Sequence, residues 1–462
     1  MKNFFKIILA MVVCFGAMFG LVACKEPELS ATSNSTTGVV SNGGSVVSYN
    51  NYIYFINGTK TNDGTGNKTG KVVQSAIYKA KLDDNGDVLE MTQVVSSLVG
   101  FSNGSIHIFG DFLYYATPNN GKNSKGETLY YQTCFYRYDL VTGASQLLYT
   151  TIQNSTDETI DYTYYKFGEK LYLLVYEKSQ KAITSIEINN KTNKKVIVND
   201  AESVLFGENF GEVKNAENNS IAENYVFFTR SALETGTVRT GVRVYKIYPD
   251  GSEEIKISEG ESVSLLTTRN DKLVYSLNSN IYMQSITAGQ DTLTFNNNQI
   301  ISLESYENVI FLEEDDGGVG LLVFENNIIR YLKLNNGVVP ETDTINNRVV
   351  YAFDGDDVKA TFVATEGDYV VYMSSNLLYK VKYKNIGENE IIAPEKLSTT
   401  TANEADGMLT AEILNGYIYF FNKTDNSTYM YRASMTTPSI NDVDDDGNRK
   451  VVGAATLFGV KE

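Results

Sequence analysis

The sequence predicts an all-β chain, a β-propeller of about eight four-stranded blades, with seven blades as the alternative. Three observations carry that prediction. A short turn followed by four apolar or aromatic residues recurs eight times. The copies lie about 50 residues apart, the length of a propeller blade. No stretch sustains a 3.6-residue period, so almost no helix is expected.

The first element precedes the fold. Residues 1–23 carry Lys2 and Lys6, then an apolar run from Ile7 to Leu21, the pattern of a signal peptide. The run is shorter than the ~20 residues a membrane-spanning helix needs. It ends Leu21-Val22-Ala23-Cys24, which resembles the bacterial lipobox. The resemblance implies cleavage before Cys24, lipid on that cysteine and a mature chain outside the cytoplasmic membrane. In a Gram-negative cell the anchor would sit in the outer membrane. Residues 24–44 form a Ser/Thr/Asn/Gly-rich tether, and residues 45–462 the propeller. Once Cys14 leaves and Cys24 is lipidated, Cys134 stands alone. A disulfide scaffold is therefore excluded.

Within the repeat, the turns are built from Gly, Asn and Asp, which tolerate positive φ. Asn50-Asn51 precedes Tyr52–Phe55, Gly110-Asp111 precedes Phe112–Tyr115, and Gly168-Glu169-Lys170 precedes Leu171–Leu174. Glu223-Asn224 precedes Tyr225–Phe228, and Asn270-Asp271-Lys272 precedes Leu273–Ser276. Glu307-Asn308 precedes Val309–Leu312, Gly367-Asp368 precedes Tyr369–Tyr372, and Asn415-Gly416 precedes Tyr417–Phe420. These runs read as the second strand, B, of each blade. Strand C follows with alternating residues around Tyr-Lys or Tyr-Arg, as in Ile77–Leu82, Phe135–Leu140, Val244–Tyr248, Leu378–Lys382 and Met430–Ala433. Weaker copies are Ile183–Ile188, Ile281–Ile286 and Ile328–Leu334. A fourth strand, such as Val88–Met91 or Gln146–Tyr149, completes the unit.

The Tyr-Ile-Tyr-Phe and Ile-Tyr-Lys-Ala-Lys-Leu-Asp segments resemble those of a bacterial surface family whose propellers are similar to the ones in low-density-lipoprotein-receptor-related proteins. The resemblance implies a fold and no reaction. The receptor-type Tyr-Trp-Thr-Asp motif is missing, because the chain has no Trp.

Composition narrows the function. A net charge of −17 excludes a nucleic-acid partner held by a basic face. One histidine, His107, argues against Ser-His-Asp chemistry, and it reads as a satisfied, partly buried side chain. The connections between strands B and C are long in the first, second and fourth units and, at Glu313–Val319, in the sixth. The turns between A and B are short, which concentrates elaboration on one face. Loops on a rigid scaffold are where binding resides. The sequence requires no cofactor and leaves one cation open. Asp442, Asp444, Asp446 and Gly447 match the start of a calcium loop, but Gly453 stands where the bidentate Glu belongs. An acidic solvated hairpin is the favoured reading of that segment. Glu313–Asp316 and Asp354–Asp357 read as solvated turns.

The expected function is a membrane-anchored, non-enzymatic module that binds a protein, peptide or glycan on the loop-rich face. A glycan hydrolase or lyase using carboxylates or Tyr is the alternative, since paired carboxylates need no His. An envelope-assembly scaffold is a third reading.

Overall fold

A computed structural model describes the strands and most connections between residues 38 and 460. Residues 1–37 and 461–462 lie outside the description, as do parts of the connections, chiefly 62–72, 96–104, 207–212, 233–240, 335–346, 401–410 and 436–454. Eight antiparallel blades of four strands, A to D, are arranged in a ring.

Blade 1 comprises Val46–Tyr49, Tyr52–Ile56, Ile77–Leu82 and Val88–Val95. Blade 2 comprises His107–Phe109, Phe112–Pro118, Thr133–Asp139 and Ser145–Thr150. Blade 3 has Ile160–Phe167, Lys170–Glu177, Ala182–Glu187 and Lys194–Val198; blade 4 has Ser203–Phe206, Val226–Ser231, Val242–Ile247 and Ile255–Lys256. Blade 5 has Val263–Arg269, Lys272–Leu277, Asn280–Ser285 and Gln299–Ser302; blade 6 has Asn308–Glu313, Val319–Phe324, Ile328–Leu334 and Asn347–Ala352. Blade 7 has Ala360–Glu366, Tyr369–Ser374, Leu377–Lys382 and Glu395–Lys396; blade 8 has Ala411–Leu414, Tyr417–Thr424, Ser427–Ser434 and Thr456–Leu457. The count is eight, not seven. The only helical turn among the described residues is the 3₁₀ segment Lys178–Gln180.

Strands A touch one another around the channel and strands D form the rim. Strand B is covered on both faces by neighbouring blades. Phe112–Pro118 is buried throughout, and so is Lys170–Glu177 apart from its first residue. This is why strand B is a continuous apolar run, whereas the rim strand Val88–Val95 is mostly exposed. The apolar clusters fill the seams, and one of them runs across both seams of blade 1. Phe135, Tyr164 and Leu173 fill the one between blades 2 and 3, and Phe420, Val371 and Leu378 the one between blades 7 and 8.

Three sequence expectations need correction. In blade 6, Val309–Leu312 belongs to strand A rather than B, and Glu313–Val319 spans the A–B connection. Strand B there is Val319–Phe324, which joins strand C through residues 325–327. The A–B connections are not all short, because residues 207–225 separate strands A and B of blade 4. That connection carries a hairpin, Val213–Lys214 with Ser220–Ala222, which adds to the channel edge of blade 3 through Phe167 and Ala222. Nor is elaboration confined to one face. The C–D connections 286–298, 335–346, 383–394 and 435–455 are also long.

The Tyr-Lys and Tyr-Arg pairs of strand C have a physical role. Alternation sends the ring to one face and the cation to the other. On its face, the cation covers the first aromatic residue of strand B. Lys79 lies 4.7 Å from the centre of Tyr52, Arg137 4.4 Å from Phe112, and Lys246 4.6 Å from Tyr225. Lys380 and Arg432 do the same with Tyr369 and Tyr417, at 4.7 and 4.6 Å. Two of these cations also donate to a carbonyl of the next blade: Lys380 Nζ to Met435 O at 2.8 Å, and Arg432 Nη2 to Gly86 O at 2.6 Å.

All four strands of blade 8 come from the C-terminal end, and all four of blade 1 from the N-terminal end. The ring closes in two ways: a hairpin in the B–C connection of blade 1, Lys60–Thr61 with Val73–Gln74, pairs with strand C of blade 8 through Lys60 and Ser427, and side chains bridge the rest of the seam. Besides Arg432, Asn57 exchanges two bonds with the Val460 backbone, at 2.9 and 2.7 Å. Glu412 in strand A of blade 8 accepts the Ser45 and Val46 N–H groups, at 2.5 and 3.1 Å. A Cβ at Gly44 would run into the Glu412 carboxylate. Gly44→Ala should therefore displace that acceptor and destabilise the ring by about 1–3 kcal/mol, read as a lower urea midpoint.

Candidate functional site

The segment assigned to the end of the tether, Gly38–Ser45, packs on the channel side of blades 1 and 2. Val40 and Ser48 exchange backbone bonds at 3.0 Å. Gly43 donates to Ile106 O and Ile106 to Gly44 O, at 2.9 and 2.7 Å. The Asn42 amide imitates a strand, accepting from Ile108 N at 2.7 Å and donating to Ile108 O at 3.1 Å.

His107 sits beneath this segment. Its ring lies 4.8 Å from Tyr164, and a Cβ on Gly43 would come within 3.1 Å of Nε2. Nδ1 is buried and has no hydrogen-bond partner among the described residues, so the expected satisfied histidine is packed but not satisfied. Burial holds its pKa down at about 4. Among the described residues, the ring is held by packing against Tyr164 and Phe109.

Glu177 and Glu187 are buried in structural contacts, whereas Glu314, expected in a solvated turn, is buried with Oε1 unpaired among the described residues. Glu177 accepts the Tyr149 hydroxyl at 2.6 Å and Ile152 N at 2.9 Å, and Glu187 pairs with Lys170 at 3.1 Å and Asn193 at 2.8 Å. Burial raises the Glu412 pKa to about 7 against the pull of its two backbone donors.

An open concavity lies at the seam between blades 1 and 2. It is a groove of about 450 Å³. Tyr136 and Tyr138, two apart on strand C of blade 2, point to the same side, toward blade 1. Tyr115, paired with Tyr136 across the strands, stacks on it at 5.6 Å and 14°. Val94 and Val95 of the blade 1 rim form the opposite wall. Thr117, Asn119 and Ser145 supply polar edges, and the Tyr115 hydroxyl lies 3.3 Å from Ser145 Oγ. Among the described residues, no carboxylate or amine lines the groove.

The B–C connection of blade 2 forms a tongue at the mouth of the groove. Lys122 bridges Thr128. Asn123 Oδ1 accepts from Lys125 N and Glu127 N, at 2.9 and 3.0 Å, and Gly126 adopts the positive φ of 81° that the tip requires. Asn119 donates to Gln132 at 2.8 Å and caps Gly121 N at 2.8 Å, which fixes the root of the tongue.

The sequence singled out the B–C loops but not this groove. Its rings and its valines come from separate blades, so no local pattern marks it. Cys24 and the triplet Asp442, Asp444 and Asp446 lie outside the described residues, as does Asp354–Asp357. The described residues hold no cluster of three metal-ligating side chains. Cys134 is buried, as expected of a small apolar residue, with Sγ 3.4 Å from Thr150 Oγ1.

Comparison with protein families finds no matching family, and comparison with curated proteins finds no match. Among solved structures, the chain is similar to the β-propeller domain of the Trilobed protease from Pyrococcus furiosus. The TM-score is 0.38 and the identity 11%, over 74% of this chain and 95% of that one. It is also similar to Porphyromonas gingivalis dipeptidyl peptidase 4, with a TM-score of 0.43 and 11% identity over 90% of this chain. The chain spans 59% of that peptidase. An oligogalacturonate lyase in complex with manganese gives a TM-score of 0.38 and 11% identity, over 86% and 96% of the two chains. At this level of likeness the neighbours' activities carry no argument for this chain.

Proposed function

We propose that the protein is a non-enzymatic binding module, held outside the cytoplasmic membrane by lipid on Cys24, that takes a peptide, protein or glycan ligand in the groove between blades 1 and 2. The groove itself carries the reading. Its described lining offers three tyrosine rings and neutral polar edges, a surface suited to recognition. Tyr hydroxyls and ring faces together can hold a sugar ring or an extended peptide.

The test is a thermal-shift screen of residues 25–462 against cell-wall fragments, glycans and peptides. A ligand that binds the native state raises the melting temperature by mass action. Tyr136→Ala should weaken that ligand at least tenfold while leaving the unliganded melting temperature within a few degrees. Turnover of a polymer by the same ectodomain, lost on substitution of acidic residues, would instead establish the hydrolase or lyase reading.

A further inference from the structure

We infer that the chain enters the ring from the face bearing the A–B and C–D connections, so that the anchor holds the propeller by that face and turns the tongue of blade 2 away from the membrane. The inference rests on the lipid reading of Cys24.

The direction follows from one pairing. Val40 and Ser48 are antiparallel partners, and Ser48 lies next to the Asn50-Asn51 turn between strands A and B. The chain upstream of Val40 therefore runs beside that turn. The other edge of strand A is already paired to strand B, so Val40 lies on the channel edge. The point of exit is fastened. The bonds of Gly43 and Gly44 to Ile106, the two Asn42 bonds to Ile108 and the Glu412 bonds to Ser45 and Val46 all hold residues 42–46 in place.

The leash is short. Fourteen residues, the number from Cys24 to residue 37, would span about 20 Å as a coil and about 50 Å at full stretch. To bring the opposite face to a bilayer, the leash would have to pass outward under four strands, about 15–20 Å at the usual spacing. It would then have to climb a blade of six or seven residues, about 20–25 Å. That path uses nearly the full stretched length, which costs conformational entropy. The near face is reached at coil length.

Two exposed positions on blade 2 report the two faces. Val141, 77% exposed, lies in the C–D connection, and Lys125 lies in the tongue. Cys134 is buried, so a thiol-reactive dye labels the introduced site in folded protein. Full-chain Val141→Cys and Lys125→Cys proteins, purified from membranes, are labelled and placed in phosphatidylcholine/phosphatidylglycerol vesicles bearing a headgroup quencher. The expected result is at least twofold stronger quenching at 141 than at 125. The difference should shrink when about 20 Gly/Ser residues are inserted before Gly38. Equal or reversed quenching in vesicle-bound protein overturns the orientation. If the full chain stays aqueous in detergent phase separation, with Cys24→Ala making no difference, the lipid reading fails and the orientation fails with it.

Discussion

Arg432→Ala should lower the unfolding free energy by about 3–5 kcal/mol, whereas Lys79→Ala should cost less than about 1 kcal/mol. Both side chains cover the first tyrosine of their own blade, so the difference isolates what Arg432 does across the seam. Its guanidinium lies 4.6 Å from the centre of Tyr417 and 5.0 Å from Phe458, and Nη2 donates to Gly86 O at 2.6 Å. A hydrogen bond from a charged donor contributes about 1.5–3 kcal/mol, and each partly desolvated cation–π contact about 0.5–2 kcal/mol. Truncation also leaves the Gly86 carbonyl without that donor. Lys79 is half-exposed, and among the described residues its contact is the Tyr52 ring. This seam differs from the others in joining the first and last blades, which no short connection links along the chain. Blades 8 and 1 are joined by Arg432, Glu412, the Asn57–Val460 pair, the pairing of Lys60 with Ser427 and apolar packing. Urea denaturation of the two variants decides the point. Equal midpoints would show that Arg432 does not hold the ring closed.

What the sequence made legible follows from where the information is stored. Turns and strand alternation are local, so seven strands B and all eight strands C were readable from runs such as Tyr52–Phe55 and Ile77–Leu82. Blade 6 failed because its strands A and B are equally apolar. Asn308–Glu313 and Val319–Phe324 differ little in composition, and Glu307-Asn308 imitates an A–B turn. The alternation of Tyr with Lys or Arg was visible in strand C, but its purpose was not. Arg432 meets Gly86, and Glu412 meets Ser45, across some 350 residues of chain. The groove was hidden for the same reason, since Val94 and Tyr138 face each other only after two blades have packed.

His107→Phe and Glu412→Gln should change the pH dependence of stability in opposite directions, each by about 3 kcal/mol. The two residues occupy the same place in strand A. His107 pairs with Tyr114 and Glu412 with Tyr419, each two residues before the end of the strand. Burial penalises the charged form of both, but the charged forms arise on opposite sides of the titration. For His107, the pKa falls from 6.5 to about 4 on folding. The stability it contributes is present above 6.5 and is lost as pH falls from 6.5 through 4. For Glu412, the pKa rises from 4.5 to about 7 on folding. Its contribution is present below 4.5 and is lost as pH rises through 7. A shift of about 2.5 units corresponds to about 3 kcal/mol in each case. Between pH 6.5 and 4.5 the two slopes cancel in the native chain. Removing His107 removes the acid penalty, so His107→Phe should gain on wild type as pH falls from 7.5 to 4. Glu412→Gln should lose ground on wild type over pH 7 to 4.5, because the wild-type carboxyl is relieved by protonation and the amide is not. Urea midpoints at half-unit intervals measure both slopes, and parallel curves for a variant and the wild type would show that the substituted group does not titrate differently on folding. If both slopes appear, the packing beneath Gly43 and the acceptor at Ser45 form a balanced pair that keeps the channel-side segment seated as pH falls.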